Sequence, residues 1–432
     1  MSQSYTPAAT FETRGSPRRA GRYGRQSMVT LQRRRAFMFA LNGLTYAALI
    51  GAVAYVLSFG GWTVVDGIML AAFAVGAPWT VLGFWNAVVG LTLLHGSRDP
   101  VGAVAPFAQS GDVPSPVTSE TAILMTLRNE DPGRALARLS VVKQSLDVTG
   151  YGERFSYFIL SDTNDPAVAA AEEAGVAAWK ARLPEAEAAR IVYRRRDDNA
   201  GFKAGNVRDF CDRWGQSFEF MLPLDADSLM SGDAILRLVR IMQTHRRIGI
   251  LQTLVVGMPT DSAFARVFQF GMRHGMRAYT MGQAWWTGDC GPFWGHNALV
   301  RIKPFMRHCH LPLLSGRGPL GGQILSHDQV EATLMRKGGF EVRVLPIEDG
   351  SWEENPPTIV DFMQRDVRWC QGNLQYLKLL DLPGLKPLSR FQLAWAVLMF
   401  LGIPAWTLMI ALLPAAAADA MTIADFPVEL AA

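Results

Sequence analysis

Cysteine is scarce in this chain of 432 residues. There are four (Cys211, Cys290, Cys309, Cys370) and no CxxC pair, which argues against a disulfide framework or a zinc ribbon. The string His308-Cys309-His310 does not read as a metal site, because neighbours on one strand point opposite ways. Charge is sparse too, at 19% of residues against 49% hydrophobic. That balance excludes a disordered chain, is too apolar for an ordinary soluble enzyme and too polar for a wholly embedded transporter. The length allows two to four folded units at about 100 to 200 residues each. Membrane anchors joined to a water-soluble domain fit both numbers.

Acids are nearly missing before Ala36, where eight arginines (Arg14, Arg18, Arg19, Arg22, Arg25, Arg33, Arg34, Arg35) face Glu12 alone. A nucleic-acid-binding arm is one reading of such a tail. An uncharged run, Ala36 to Leu57, follows at once, so the positive-inside rule explains the arginines better and no nucleic-acid partner is expected. About 20 apolar residues cross the hydrocarbon core, so this run predicts a first transmembrane helix. It is too long and too aromatic for a cleaved leader. A second span is expected from about Ile68 to Leu94, and its connection to the first holds Asp66 and no Lys or Arg. A third, about Phe391 to Leu413, is entered from Lys378, Lys386 and Arg390. The expected layout is a basic cytoplasmic tail (1–35), a transmembrane hairpin (36–94), a Gly, Pro and Ser-rich linker (95–118), a cytoplasmic domain with interfacial helices (119–385), a third transmembrane helix (386–413) and a short external tail (414–432).

Within the cytoplasmic part, apolar runs bounded by turn residues alternate with helical patterns. Strands are predicted at 122–127, 155–160, 190–194, 218–224, 249–255 and 342–346, and helices at 132–146, 167–178, 207–214 and 234–245. Such alternation predicts an α/β domain with a mostly parallel sheet, whose ligand lies beyond the carboxyl ends of the strands.

The strand ending at Leu224 runs into Asp225-Ala226-Asp227, and side chains two apart on an extended chain share a face. Two hard oxygen ligands with open positions suit Mg²⁺ or Mn²⁺ held jointly with a diphosphate; a pair of turn acids on the surface is the alternative. Lys203 stands between Gly201 and Gly205 before a helical stretch, where backbone N–H groups and a mobile cation suit a phosphate; an ordinary surface lysine is the alternative. Ser326-His327-Asp328-Gln329 fits a capping box and places Asp328 in a first helical turn, where its charged form is favoured. That acid either accepts a proton or serves the helix alone. Arg365 and Arg368, three apart, can share a helix face beside Trp369, as a diphosphate clamp with a sugar platform or as a solvated basic face. The stretch from Phe264 to Trp286, with Arg266, Arg273 and Arg277 among aromatics, fits an interfacial helix or a helix burying its aromatic side.

Taken in order, these strings resemble the membrane-embedded family-two glycosyltransferases, the group containing cellulose and hyaluronan synthases. Within that group they are most similar to the glucosyltransferases of osmoregulated periplasmic glucan synthesis. The resemblance is carried by Arg128-Asn129-Glu130-Asp131-Pro132, LSDTNDP (160–166), YRRR with NAGFKAGN (193–206), LDADSLM (224–230), FWGHNALVR (293–301), SHDQVEA (326–332) and RDVRWCQGN (365–373). It implies a GT-A type nucleotide-sugar fold, UDP-glucose as donor, a divalent metal, an inverting mechanism and a linear β-1,2-glucan product at the bacterial inner membrane. By the same resemblance Glu130 and Asp162 contact uridine, Lys203 the diphosphate, and Asp225 and Asp227 donor and metal. His296 and Asn297 lie toward the acceptor, Asp328 is the general base, and Arg365, Arg368 and Trp369 hold diphosphate and acceptor.

Two departures accompany it. The broader synthase motif begins with Gln where Arg365 stands, Gln364 being adjacent. The resembled enzymes also carry further spans after the third, so either this sequence is a shortened version or glucan export relies on self-association or a partner. Rival readings are transfer of a single sugar to a lipid phosphate and a non-catalytic UDP-sugar-binding membrane protein. A binding protein has no use for Asp328.

Overall fold

The run of arginines before the first apolar span is already helical. The computed structural model describes residues 26–59 and 61–420, so most of the expected basic tail and the end of the external tail lie outside the described residues. Helix α1 (Met28–Leu57) starts ahead of the expected entry at Ala36 and takes Arg33, Arg34 and Arg35 into its first turns. Helix α2 (Val64–Gly96) opens on a reciprocal cap, with Thr63 Oγ1 accepting from the Asp66 N–H at 3.2 Å and the Asp66 carboxylate accepting from the Thr63 N–H at 2.9 Å. Such a cap satisfies two otherwise orphaned donors. The segment expected as a linker folds into short α3 (Pro100–Val104), a 3₁₀ turn and α4 (Gln109–Asp112). Val104, Phe107 and Ala108 bury themselves there, which the Gly and Pro content had hidden.

The predicted alternation follows: β1 (Thr121–Leu127), α5 (Pro132–Val148), β2 (Phe155–Ser161), α6 (Pro166–Lys180), α7 (Glu185–Ala188), β3 (Ile191–Arg195), α8 (Phe202–Trp214) and β4 (Phe220–Asp225). Then come β5 (Ser228–Met230), α9 (Gly232–Thr244), β6 (Ile248–Thr253), β7 (Val256–Gly257), α10 (Ala263–Thr287), β8 (Ala298–Arg301) and α11 (Ile302–His308). The chain closes with α12 (Asp328–Lys337), β9 (Glu341–Leu345), β10 (Ser351–Glu353), α13 (Ile359–Leu374) and α14 (Pro387–Ala420).

Seven strands form one sheet in the order β3-β2-β1-β4-β8-β6-β9, parallel except for β8, which runs antiparallel to both neighbours. Near-continuous apolar runs such as Ile123-Leu124-Met125 are fully buried, as expected for parallel strands covered on both faces. One face packs against α5 and α9 through Leu139, Val142, Ile235 and Leu238. The other packs against α8 and α12 through Phe210, Val330 and Met335. A second sheet, β5-β10-β7, stands beside the carboxyl end of β4. Its strands and β8 are two to four residues long, too short for periodicity to reveal.

Among the described residues, three helices are long and apolar enough to cross a membrane: Met28–Leu57, Val64–Gly96 and Pro387–Ala418. The domain is joined firmly to the second. A Cβ on Gly90 of α2 would lie 1.7 Å from the Ala278 carbonyl oxygen, and one on Gly282 of α10 would lie 1.9 Å from that of Asn86. Only glycine allows this approach of two backbones. Trp286 donates to the buried Asn86 side chain beside it at 2.9 Å, and Arg35 of α1 donates to the Thr287 carbonyl and to Asp289, both at 2.6 Å. The two halves of the aromatic helix differ in burial. The later half of α10 buries Met281, Ala284 and Trp286, whereas Val267 and Phe270 of the first half are exposed.

Candidate active site

Asp225 is the last residue of β4 and pairs in register with Thr126 of β1, whose hydroxyl lies 3.3 Å from the carboxylate. The Ser228 hydroxyl accepts from the Asp225 N–H at 3.2 Å and closes the turn that carries Asp227. Lys203 forms an ion pair with Asp225. Burial works to raise the Asp225 carboxyl, but Lys203, His296 and His327 outweigh it and hold the group below its ordinary value. Asp227 goes the other way: burial and the adjacent Asp225 push it up to about 6, with Glu353 adding to the rise. Lys203 answers one charge of the pair. The crowded second acid, with further carboxylate chemistry near it, is a donor set that fits a hard divalent cation. Among the described residues no ready cluster of three or more His, Cys, Asp or Glu side chains surrounds such an ion, so the fit is to a cation shared with a ligand.

The loop before α8 owes its shape to its glycines. Gly201 sits at φ +73° and Phe202 at φ +51°. A Cβ on Gly205 would lie 2.0 Å from the Ala200 carbonyl oxygen. Arg196, which the motif reading passed over, fastens this loop: it donates to the carbonyls of Ala200 and Phe202, both at 3.1 Å, and to the Asp162 carboxylate at 2.7 and 2.6 Å. Asp162 is thus buried and already bound by a guanidinium, and through Arg196 it helps to hold the Lys203 loop. The Glu130 carboxylate accepts from the Arg128 N–H, and burial raises its pKa.

Asp328 opens α12 in the first turn, as expected, but the capping box does not form. His327 occupies the N-cap position in helical conformation and no side chain caps the helix. The serine is used elsewhere: Ser326 packs so closely on Gly372 of α13 that a Cβ there would lie 2.2 Å from its hydroxyl, and the Ser326 carbonyl accepts from Tyr376 at 2.8 Å. The two specific strings SHDQVEA and RDVRWCQGN are therefore packed against each other. Gly295, at φ +79°, marks the meeting point of the site. A Cβ placed on it would stand 3.4 Å from Asp328 Cβ, 3.6 Å from His327 Cε1 and 3.8 Å from Lys203 Nζ. The candidate base and the acid-and-lysine pair thus approach one point, Gly295.

The acceptor-side expectations divide. His296 is half-buried, its Nε2 3.4 Å from Glu353 and its Nδ1 3.4 Å from the Ser228 hydroxyl. Asn297, next to it, is fully buried at φ +49° and donates to the Ser351 hydroxyl at 3.0 Å and the Trp352 carbonyl at 3.1 Å. These bonds brace the second sheet. Arg365 lies over the Trp369 ring at 4.4 Å, and the carboxylates of Glu353 and Asp227 act on it. Arg368 faces solvent. Glu353 was not singled out in the sequence because its strand has three residues; it links His296, Asp227 and Arg365. A separate cavity of ≈ 380 Å³, lined by Thr118, Gln216 and Lys303 among others, lies at the amino ends of β1 and β4, the end of the sheet away from these groups.

Comparison with known proteins agrees with the motifs. Residues 220–423 match the family described as Glycosyl transferase family group 2. Curated relatives named glucans biosynthesis glucosyltransferase H include one from Rhodopseudomonas palustris, 41% identical over 86% of this chain and 50% of its own length. Others are from Caulobacter vibrioides (40%, covering 85% and 56%) and Vibrio cholerae (41%, covering 87% and 51%). The chain spans about half the length of the curated relatives it matches. Among solved structures, the mannosyltransferase PcManGT from Pyrobaculum calidifontis in complex with GDP-Man and Mn²⁺ aligns at a TM-score of 0.48 with 16% identity, over 77% of this chain and 87% of that one. Residues 220–423 are thus similar to the family-two glycosyltransferases, and the chain as a whole is similar to about half of each glucans biosynthesis glucosyltransferase H protein.

Proposed function

We propose that the cleft transfers glucose from UDP-glucose to the end of a growing β-1,2-glucan, with inversion, on the cytoplasmic side of a bacterial inner membrane. The observation that carries this reading is the convergence of Asp328 and Lys203 on Gly295, with Lys203 paired to Asp225 at the carboxyl end of β4. In an open α/β sheet that is where a ligand binds.

Asp225 and Asp227 would hold a divalent ion, Mg²⁺ or Mn²⁺, which when bound supplies Lewis acidity to the departing diphosphate. Lys203 is placed to exchange its Asp225 partner for phosphate oxygens, and Arg365 to add a second cation. Asp328 takes the proton of the acceptor hydroxyl as it attacks the anomeric carbon on the side away from UDP. The half-exposed Trp369 face, backed by Arg365, offers an apolar platform for a sugar ring. Glu130 and Asp162 flank the uridine side, and His296 the acceptor side. The exposed Val267, Phe270, Met363 and Val367 of α10 and α13, with Arg266 nearby in sequence, would rest against lipid headgroups. Export of the glucan would involve self-association or a partner.

The test offers the chain, purified in detergent, a panel of UDP-sugars with and without divalent metal, and follows UDP release and product linkage. UDP-glucose with metal should give the fastest release and a β-1,2-linked product. Equal, background-level release from every sugar would remove the reading.

A further inference from the structure

His327 belongs to no role assigned so far. Its side chain is largely buried at the start of α12, and Nδ1 lies 3.0 Å from the Glu331 carboxylate one turn on. Glu331 is itself 3% exposed. The other nitrogen, Nε2, makes no hydrogen bond among the described residues, and the ring edge that carries it reaches toward Gly295, where Lys203 Nζ also arrives. A ring nitrogen that no protein group takes up is open to a ligand at that point. The charged groups facing the ring are Glu331 and Asp328 on its own helix, Lys203 on α8 and Asp225 on β4. Burial disfavours the imidazolium, yet Glu331 and Asp328 more than offset this and the pKa is raised. The imidazolium is thus favoured more than in a free histidine although it stands near another cation, Lys203, an arrangement that suits a polyanion.

Building on the donor reading above, we propose that His327 is a diphosphate-binding residue: its Nε2–H donates to the terminal phosphate of a bound nucleoside diphosphate beside Lys203, while Glu331 holds the ring in the orientation and charge state for it. Asp328, the adjacent residue, then faces an acceptor while His327 faces the leaving group. One helix start serves both ends of the displacement.

The experiment measures UDP and UMP binding to the full chain in detergent, for wild type and for His327→Ala, His327→Gln and Glu331→Gln. UMP lacks the terminal phosphate, so its binding also reports that each variant is folded. Wild type is expected to prefer UDP. His327→Ala should weaken UDP about tenfold, the size of one charge-assisted hydrogen bond, and leave UMP unchanged. His327→Gln, which keeps a neutral donor, should fall between, and Glu331→Gln should lower UDP affinity in the same direction. Unchanged UDP affinity in His327→Ala, or equal losses for UDP and UMP, overturns the assignment while leaving the donor reading in place. A wild-type chain that does not distinguish UDP from UMP overturns both.

Discussion

The two walls of the cleft are built on different principles. The wall at the sheet end is set by backbone: Asp225 is fixed by its register with Thr126, and the Asp227 turn by the Ser228 hydroxyl. The helical wall, with His327, Asp328, Arg365 and Trp369, depends on side chains and on two glycines. Gly372 lets α13 approach Ser326, and Gly295 leaves room between Lys203 and Asp328. A strand end delivers charge to a fixed point, whereas a helix start positioned by packing can be moved by one methyl group. The first wall should therefore govern binding of the metal, and the second turnover and acceptor, with His327 and Arg365 adding to the hold on the diphosphate.

Asp328→Asn tests that division with the largest effect. Turnover should fall by about 10²- to 10⁴-fold, the usual range for a removed general base, with UDP affinity unchanged in a binding titration. Equal losses in both would merge the two walls. On the sheet-end wall, chelation of divalent ions should abolish turnover and returning the metal should restore it. Metal affinity should weaken by about tenfold per pH unit below about 6, because protons compete for the Asp227 carboxylate. The sign is opposite for the metal-free fold. A carboxyl raised from 3.8 to about 6 penalises the charged form, so stability should decline as pH rises across that window. Thermal melts with and without metal check both directions.

Smaller effects come from packing and stacking. Gly372→Ala places a methyl 2.2 Å from the Ser326 hydroxyl and 2.7 Å from its backbone nitrogen, and overpacking of this kind costs about 1 to 3 kcal/mol. Turnover should drop about tenfold while metal affinity stays, measured by UDP release against metal titration. Trp369→Ala should raise the acceptor KM about fivefold, matching a stacking contribution of about 1 kcal/mol, with the KM for UDP-glucose little changed.

The central strands and the long helices could be read from the sequence, since continuous apolar runs and helical periods are properties of neighbouring residues. Lys203, Asp225 and Asp328 could be picked out by their strings. What escaped depended on contacts between distant segments. β8 and β10 are too short to carry a period, yet they place His296 and Glu353. Asn297, in a motif string, turned out to be buried because its positive φ and its bonds to Ser351 and Trp352 are set by a strand more than fifty residues away. The Ser326 capping box failed because packing by Gly372 claimed the serine. Arg34 and Arg35 illustrate the same point at the membrane: their surplus of charge suggests orientation, and only the fold shows them bonded to the end of α10 and to Asp289.

A structure of the chain with UDP and a divalent ion tests the central claim most directly. The account predicts the nucleotide beyond the carboxyl ends of β1 and β4, with its diphosphate among Lys203, Asp225, Asp227 and His327 and with Asp328 open to the acceptor. A nucleotide found instead in the cavity lined by Thr118, Gln216 and Lys303 at the opposite end of the sheet would contradict it.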